Sequence, residues 1–395
     1  MKPYSGRSYP LPDLTHIQYI RQEMPATTAH IYLNTGTFGP LPACAIQAMQ
    51  EHFQAEWRDG RLGAAGFESM ANIYKNARSS AARLLNADAD EISLTDNTGE
   101  GLNIISHGLN WHEGDEVITT NHEHFSALAP LYQLRDRFGI VICYADIGPR
   151  GDAPILKAFV DQVTPRTRLI VLSHVTWTTG AVLDINAIGN LGRERGIPVL
   201  VDAAQSAGAI SVDVKALAID FYAMPMQKWL CGPDGTGALY VRKESLHYIA
   251  PTYVGYWSAK HEEGTEWELA DGAQRFELGG RQTSALAAQG AVLQWLEEKV
   301  GYQWMFERIS TLSAYAYHAL KVLPDVTILT PQPGESGLVS FLLDGHDVKQ
   351  VVKQLHDFHS IYIRDIPSTG SLRISTGFYN TEEEIDTLVQ ALRDM

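Results

Sequence analysis

Short apolar runs alternate with amphipathic stretches through about residue 245, which predicts an α/β fold with a mainly parallel sheet flanked by helices. The runs at 168–173 and 197–201 are nearly continuous, as in strands buried on both faces, and each ends in a polar residue. Beyond Pro251 the pattern changes to a stretch rich in Gly, Trp and charge, then a helical region, then strands broken by helices. That change predicts a smaller α+β domain at the C-terminal end. The expected division is a large domain over 26–264 and a small domain made of 1–25 with 265–395.

Residues 1–25 are polar and read as a loop followed by a short helix at 14–23. Ile31-Tyr32-Leu33-Asn34 reads as a strand, and the Gly- and Pro-bearing segment 35–42 as a turn, in which Asn34 fits an Asx turn. The spacing of Ile46, Met49, Phe53 and Trp57 predicts a helix over 42–57, and a second follows over 69–85. Strand 91–95 leads through Asp96-Asn97-Thr98-Gly99-Glu100-Gly101 into a helix at 102–109. A small-residue loop opening a helix offers unpaired N–H groups to an anion, and serves equally as a plain N-cap.

Strand 115–120 ends in Asn121-His122-Glu123-His124-Phe125. No further ligand cluster accompanies the two histidines, so no metal is expected, and His122 reads as a surface residue. Helix 127–138, strand 141–144 and helix 154–163 follow, and strand 168–173 runs into Ser173-His174-Val175-Thr176-Trp177-Thr178-Thr179-Gly180. A crossover helix at 184–196 leads to the strand that ends in Asp202. The next apolar run, Phe221-Tyr222-Ala223-Met224, is followed by Gln227 and Lys228. An acid and a lysine therefore stand at the ends of neighbouring strands, where open α/β sheets place their ligands. The pair fits a structural ion pair. It also fits a lysine holding pyridoxal 5′-phosphate (PLP) as a Schiff base while the aspartate keeps the pyridine nitrogen protonated. Residues 254–277 read as an irregular loop, 285–320 as largely helical, and 326–329, 338–343, 361–363 and 371–375 as strands, broken by helices at 346–358 and 381–394.

Of the 395 residues, 45% are apolar and 19% charged, an ordinary globular composition. A net charge of −15 argues against nucleic acid or an anionic membrane as partner. The three cysteines, Cys44, Cys143 and Cys231, lack metal-ligand spacing. No signal-peptide core or bilayer-length apolar run is present, so the expected location is the cytoplasm.

VDAAQSAG followed by a lysine before W-x-x-G-P-x-G-x-G-x-L-Y resembles the class V branch of the fold-type I PLP enzymes. That branch includes cysteine desulfurases, selenocysteine lyases, isopenicillin N epimerases and cyst(e)ine C–S lyases. The likeness runs from about Tyr32 to the C-terminus and is strongest with the C–S lyases, whose TDN, GLNWHEGDE, TRLIVLSH, W-x-TG, PTYVG, RFE, GLVSF and TEEEI segments recur here in matching order. It implies the fold-type I PLP-dependent transferase fold, with PLP in the large domain and a homodimer whose site lies near the interface.

The resemblance also implies roles. Lys228 carries the cofactor and then acts as the base at Cα, Asp202 holds the ring nitrogen, and His124 stacks on the ring. Gln205 meets the ring O3′, where the bare residue reads as a solvated helix glutamine. Thr98 and Gly99 lie in the phosphate cup. Asn34 and Thr178 border the substrate. Arg373, with Arg364, clamps the substrate carboxylate through its guanidinium fork, although each would otherwise read as a surface ion pair. Arg275, in RFELGG, belongs to a segment that meets the partner's site. The chain departs from the pattern in several places: Gln227 replaces His, Pro225 replaces a phosphate-binding Ser or Thr, and Gly280 replaces a phosphate-binding Thr. Thr178 stands where the lyases carry an amide, and Gly99 where a Thr is frequent. Pro225 donates nothing, so the expectation is either weaker cofactor retention or a compensating donor, for which Gln227 is the candidate.

Cysteine desulfurases need a mobile nucleophilic cysteine just upstream of the carboxylate-binding arginine. This chain has Pro367-Ser368-Thr369-Gly370-Ser371 there. The expected reaction is therefore β-elimination from cystine, cysteine or a cysteine S-conjugate, giving pyruvate, ammonia and a sulfur product. An isopenicillin N epimerase-like reaction and a class V aminotransferase are the competing enzyme readings, because fold does not choose among them. A non-catalytic PLP-fold binding module is the reading from a different class, motivated by Pro225, Gln227 and Gly280.

Overall fold

The computed structural model describes residues 14–263 and 266–395. Helices α1 (Leu14–Glu23) and α2 (Ala26–Ala29) lead into strand β1 (Ile31–Tyr32) and the long helices α3 (Ala43–Asp59) and α4 (Ala64–Leu85). Alternation then begins with β2 (Ile92–Thr95), α5 (Thr98–Gly108), β3 (Glu116–Thr120), α6 (Phe125–Phe138), β4 (Val141–Ala145) and α7 (Ile155–Val160). It continues through β5 (Thr167–Ser173), α8 (Ile185–Arg195), β6 (Val199–Asp202), β7 (Phe221–Pro225) and β8 (Gly237–Val241). Strands β9 (Ala259–Glu263) and β10 (Glu266–Leu269) precede helices α9 (Thr283–Trp295) and α10 (Tyr302–Lys321). The chain ends with β11 (Val326–Ile328), β12 (Leu338–Leu343), α11 (Val348–His359), β13 (Ile361–Tyr362), β14 (Arg364–Ile366), β15 (Ser371–Ser375) and α12 (Glu382–Arg393).

Seven strands form one sheet in the order β2-β8-β7-β6-β5-β3-β4. Only β8 runs antiparallel to its neighbours, β2 and β7. Strands β6 and β7 are buried along their whole length, as their continuous apolar sequences require. One face packs α5 and α6 through Leu102, Ile105, Leu131 and Leu134 against Phe221 and Leu239. The other holds α8 through Ile188 and Leu191, with Tyr222 and Met224. A second sheet, β11-β12-β15-β14, is antiparallel throughout and packs against α10 and α12. Helix α9 lies on α3 and α4, and at Gly290 the α4 backbone at Ala77 comes within 3.6 Å of where a Cβ would stand.

Three expectations shift. Helix α5 starts at Thr98 rather than at 102, because the Asn97 side chain caps it by accepting the Glu100 N–H at 3.0 Å. The stretch 254–277 is not all loop: it contains the β9–β10 hairpin, and β10 is exposed on nearly all of its length. An exposed ribbon has no buried face and leaves no period-two apolar signal. Gln205 lies in a turn rather than a helix. The loop expected over 1–13 and the junction expected near 265 fall outside the described residues.

The two sheets are joined beside the carboxyl ends of the parallel strands. Arg150 donates to the carbonyls of Leu329 and Thr330, both at 3.1 Å. The Thr330 and Ser336 hydroxyls donate to the carbonyls of Thr179 (2.7 Å) and Gly180 (2.8 Å). Strand β1 pairs in parallel with β13, and Asn34 bridges to Ser375, so an early segment seals the second sheet. Among the described residues no helix is long and apolar enough to cross a membrane.

Candidate active site

Strands β3, β5, β6 and β7 are parallel and release their following loops at one edge of the sheet. In register, Asp202 at the end of β6 stands between Ser173 of β5 and Ala223 of β7. Lys228 follows β7 in a tight turn: its carbonyl accepts the Cys231 N–H at 3.0 Å, and Cys231 takes a left-handed φ of 55°. Against this turn lies Gly39, whose N–H donates to the Gln227 carbonyl at 2.7 Å. A Cβ on Gly39 would sit 2.2 Å from the Lys228 oxygen, so only glycine allows the approach.

Burial pulls the Lys228 amine down to about 8, with Arg373 and Arg364 adding to the effect and Asp202 opposing it. Among the described residues its Nζ makes no hydrogen bond or ion pair. Burial raises the Asp202 carboxyl above the usual range, while the Ala204 N–H (2.8 Å to Oδ1) and Lys228 pull it back. Its Oδ2 takes no protein hydrogen bond among the described residues.

His124 caps α6: its Nδ1 accepts the Ser126 N–H at 3.2 Å. In the neutral ring the proton therefore sits on Nε2. Burial, then Lys228, Arg364 and Arg373, pull its pKa down to about 4, so the ring is neutral at pH 7. Its edge meets Trp177 at 5.1 Å and 89°. His122, expected at the surface, is buried instead. Its Nε2 donates to the Gly148 carbonyl and its Nδ1 faces the Thr178 hydroxyl, both at 2.6 Å. A carbonyl only accepts, so in the neutral ring Nδ1 takes the Thr178 proton and leaves Thr178 no hydrogen to donate elsewhere.

Arg373 is buried in β15, directly opposite Arg364 of β14. Its Nη1 donates to the Trp177 carbonyl at 2.7 Å, whereas Nε and Nη2, which form one edge of the guanidinium, are buried without a partner. The Arg364 guanidinium lies 5.7 Å from the centre of the Trp177 ring, with Nη1 at 3.4 Å from the Thr37 hydroxyl. That hydroxyl donates to Asn34 Oδ1 at 2.8 Å, so Asn34 reaches the arginines through Thr37. Gln205 is buried, its Nε2 donating to Gly36 (2.9 Å) and its Oε1 accepting from the Trp229 indole (3.0 Å).

Thr98 and Gly99 open α5, and among the described residues their N–H groups meet no protein acceptor. The Gln227 Oε1 is buried and unpartnered. Gly280 lies apart from this group in the chain: it is exposed, and a Cβ there would meet the Tyr256 hydroxyl at 3.7 Å. The next residue, Arg281, pairs with Asp96 and Glu100 at the mouth of α5. Arg275 braces its own loop through the Ala270 and Asp271 carbonyls, both at 2.9 Å.

Sequence reasoning passed over three residues. Glu123 is fully buried, and burial raises its carboxyl to about 7 against hydrogen bonds from Ser173 and Thr120. A charge between two histidines already singled out was its available signal. Thr37 carried none beyond its place in its loop, and Trp177 carried one as the first residue of the W-x-TG segment.

A family model described as aminotransferase class-V matches residues 31–388. A probable cysteine desulfurase of Methanothermobacter thermautotrophicus is 29% identical, covering 95% of this chain and 97% of its own. The isopenicillin N epimerase of Streptomyces clavuligerus is 29% identical over 92% of this chain and 94% of its own. Among solved structures, the cystine C–S lyase C-DES, in complex with its product cysteine persulfide, superposes with a TM-score of 0.90 at 31% identity, covering 94% of this chain and 99% of that one. A variant of C-DES carries glycine covalently linked to its PLP cofactor. The residues here fit that cofactor: a partner-free lysine amine, a buried aspartate with one free oxygen, and unpaired N–H groups at a helix start. The chain belongs to the class-V aminotransferase family, in the fold-type I architecture.

Proposed function

We propose that this chain is a PLP-dependent carbon–sulfur lyase acting by β-elimination on cystine, cysteine or a cysteine S-conjugate. The observation that carries the reading is the buried Arg373 fork next to a β14–β15 turn, residues 367–370, that contains no cysteine. Cys231 is buried with its thiol acidity suppressed, and Cys44 and Cys143 sit on α3 and the edge strand β4. Cys231 lies in the 228–231 turn but is fully buried, and Cys44 and Cys143 are not in loops, so none of them is placed to shuttle sulfur.

PLP, when bound, supplies an electron sink for charge developing at the substrate Cα. Lys228 would hold it covalently, Asp202 would accept from its ring nitrogen, and the neutral imidazole of His124 would cover the ring. The open N–H groups of Thr98 and Gly99 would hold the phosphate, helped by Gln227, while Gln205 would border the ring oxygen. Thr178, its hydroxyl hydrogen-bonded to His122, would border the substrate. Arg373 would take the substrate carboxylate on Nε and Nη2, which satisfies two buried donors at once. Arg364, steered by Asn34 and Thr37, would add charge. Lys228, neutral in a useful fraction near pH 8, would remove the Cα proton.

A homodimer is part of this reading. It is supported by exposed Trp57 (89%), Leu62 (85%) and Phe67 (55%) where α3 turns into α4, apolar surface of the kind that marks an interface.

The test is to give the purified protein PLP and cystine, then assay pyruvate, alanine and enantiomer. Protein that absorbs near about 420 nm and releases pyruvate upholds the reading. Alanine with sulfur left on a protein thiol would indicate a desulfurase, and loss of chirality without pyruvate an epimerase. Protein that remains colourless would be the binding module.

A further inference from the structure

Trp177 touches more of the site than any role so far given to it explains. Its carbonyl accepts from Arg373, its ring face lies under Arg364, and its ring meets His124 edge-on. It thereby connects the small-domain arginines to the imidazole of the large sheet. The indole Nε1–H is buried and has no hydrogen-bond partner among the described residues. The same holds for Nε and Nη2 of Arg373, the residue its own carbonyl holds. An isolated buried donor is costly, and such donors are normally used by water or a ligand. Here three of them occur on two residues in direct contact, and all three are donors, which matches an anionic group with several lone pairs.

We propose that Trp177 is a specificity-determining residue that donates its indole N–H to the substrate carboxylate beside the Arg373 fork. This rests on the reading of Arg373 as the carboxylate clamp. With three donors on the carboxylate, the site selects amino acids over the corresponding amines more strongly than an arginine alone would. The aromatic ring also fills the space between His124 and Arg364, so selection and positioning reside in one side chain.

The experiment titrates the PLP-loaded protein, following its absorbance near about 420 nm, with glycine and with methylamine, which is glycine without its carboxylate. Three proteins are compared: wild type, Trp177→Phe and Arg373→Lys. Phenylalanine keeps the backbone carbonyl and an aromatic ring, and removes the N–H together with the second ring of the indole; the lost volume acts on both ligands, so the difference between glycine and methylamine isolates the N–H. In Trp177→Phe the apparent Kd for glycine should rise about tenfold, the value of one hydrogen bond to a charged group, while methylamine binding stays within about twofold. Equal weakening of both ligands would assign Trp177 a packing role and overturn the proposal, as would unchanged glycine binding. Arg373→Lys separates the two layers. If Arg373→Lys weakens glycine while sparing methylamine and Trp177→Phe leaves glycine unchanged or weakens both ligands equally, the proposal alone fails. If Arg373→Lys weakens both ligands equally, or neither, the clamp reading fails and takes the proposal with it.

Discussion

Lys228 shows how one residue's chemistry is set by what surrounds it. Desolvation disfavours its charged form, two arginines add to that, and Asp202 only partly restores it. The consequence is a nucleophilic amine near neutrality: at pH 7 about a tenth of the side chains are neutral, against fewer than one in a thousand for an ordinary lysine. Capture of PLP by the cofactor-free protein requires the neutral amine, so its rate should climb with pH through a midpoint near 8 and then level off. Stopped-flow absorbance between pH 6 and pH 11 checks this, and a rate still rising steeply above pH 10 would contradict it. Legibility at this scale was uneven. The residue types at 202 and 228 could be read as a pair, because each terminates an apolar run. The burial of His122 could not, since a histidine after a strand looks the same whether its ring faces water or Gly148.

At the scale of elements, the carboxyl ends of β6 and β7 deliver the acid and the lysine, and the loop after β1 supports the lysine from the other side. Gly39 is the contact point, and its missing side chain is what admits the Lys228 carbonyl. Gly39→Ala should displace the 228–231 turn, weaken PLP retention by about tenfold or more and lower Tm, since relieving such a clash means moving backbone. Equilibrium dialysis of PLP and a thermal melt would measure both, and unchanged retention would show that the turn does not depend on this approach. The hairpin of β14 and β15 likewise does more than its sequence suggests. Arg364 and Arg373 read as two cations flanking a loop, and antiparallel pairing sets them opposite one another. Like charges directly opposite are destabilising in a sheet, which fits a place kept for an anion.

For the whole molecule, the site lies where the second sheet docks on the first, through Arg150, Thr330 and Ser336. His124 and Trp177 come from one side of that joint and the two arginines from the other, so the geometry of the proposed clamp depends on the joint. The outer surface of α3 and α4 leaves Trp57 and Leu62 open. The proposed homodimer predicts that Trp57→Glu/Leu62→Glu sediments as a monomer at concentrations where the wild type is a dimer, with activity reduced at least tenfold. A monomeric wild type in analytical ultracentrifugation would remove the dimer from the functional reading.

The alternation of strands and helices through β8, the parallel sheet and the residues at its carboxyl edge were determined by the sequence alone, whereas the β9–β10 hairpin was not legible there. Hydrophobic period and turn chemistry act between near neighbours in the chain, and the ordered motifs from Thr95 to Glu384 carried the rest. Tertiary structure alone decided which polar atoms are left unsatisfied: the donors on the Arg373 edge and the Trp177 indole, and the acceptor Oδ2 of Asp202. Whether a buried polar atom has a partner depends on residues hundreds of positions away, brought alongside by register and packing, and no local pattern encodes that.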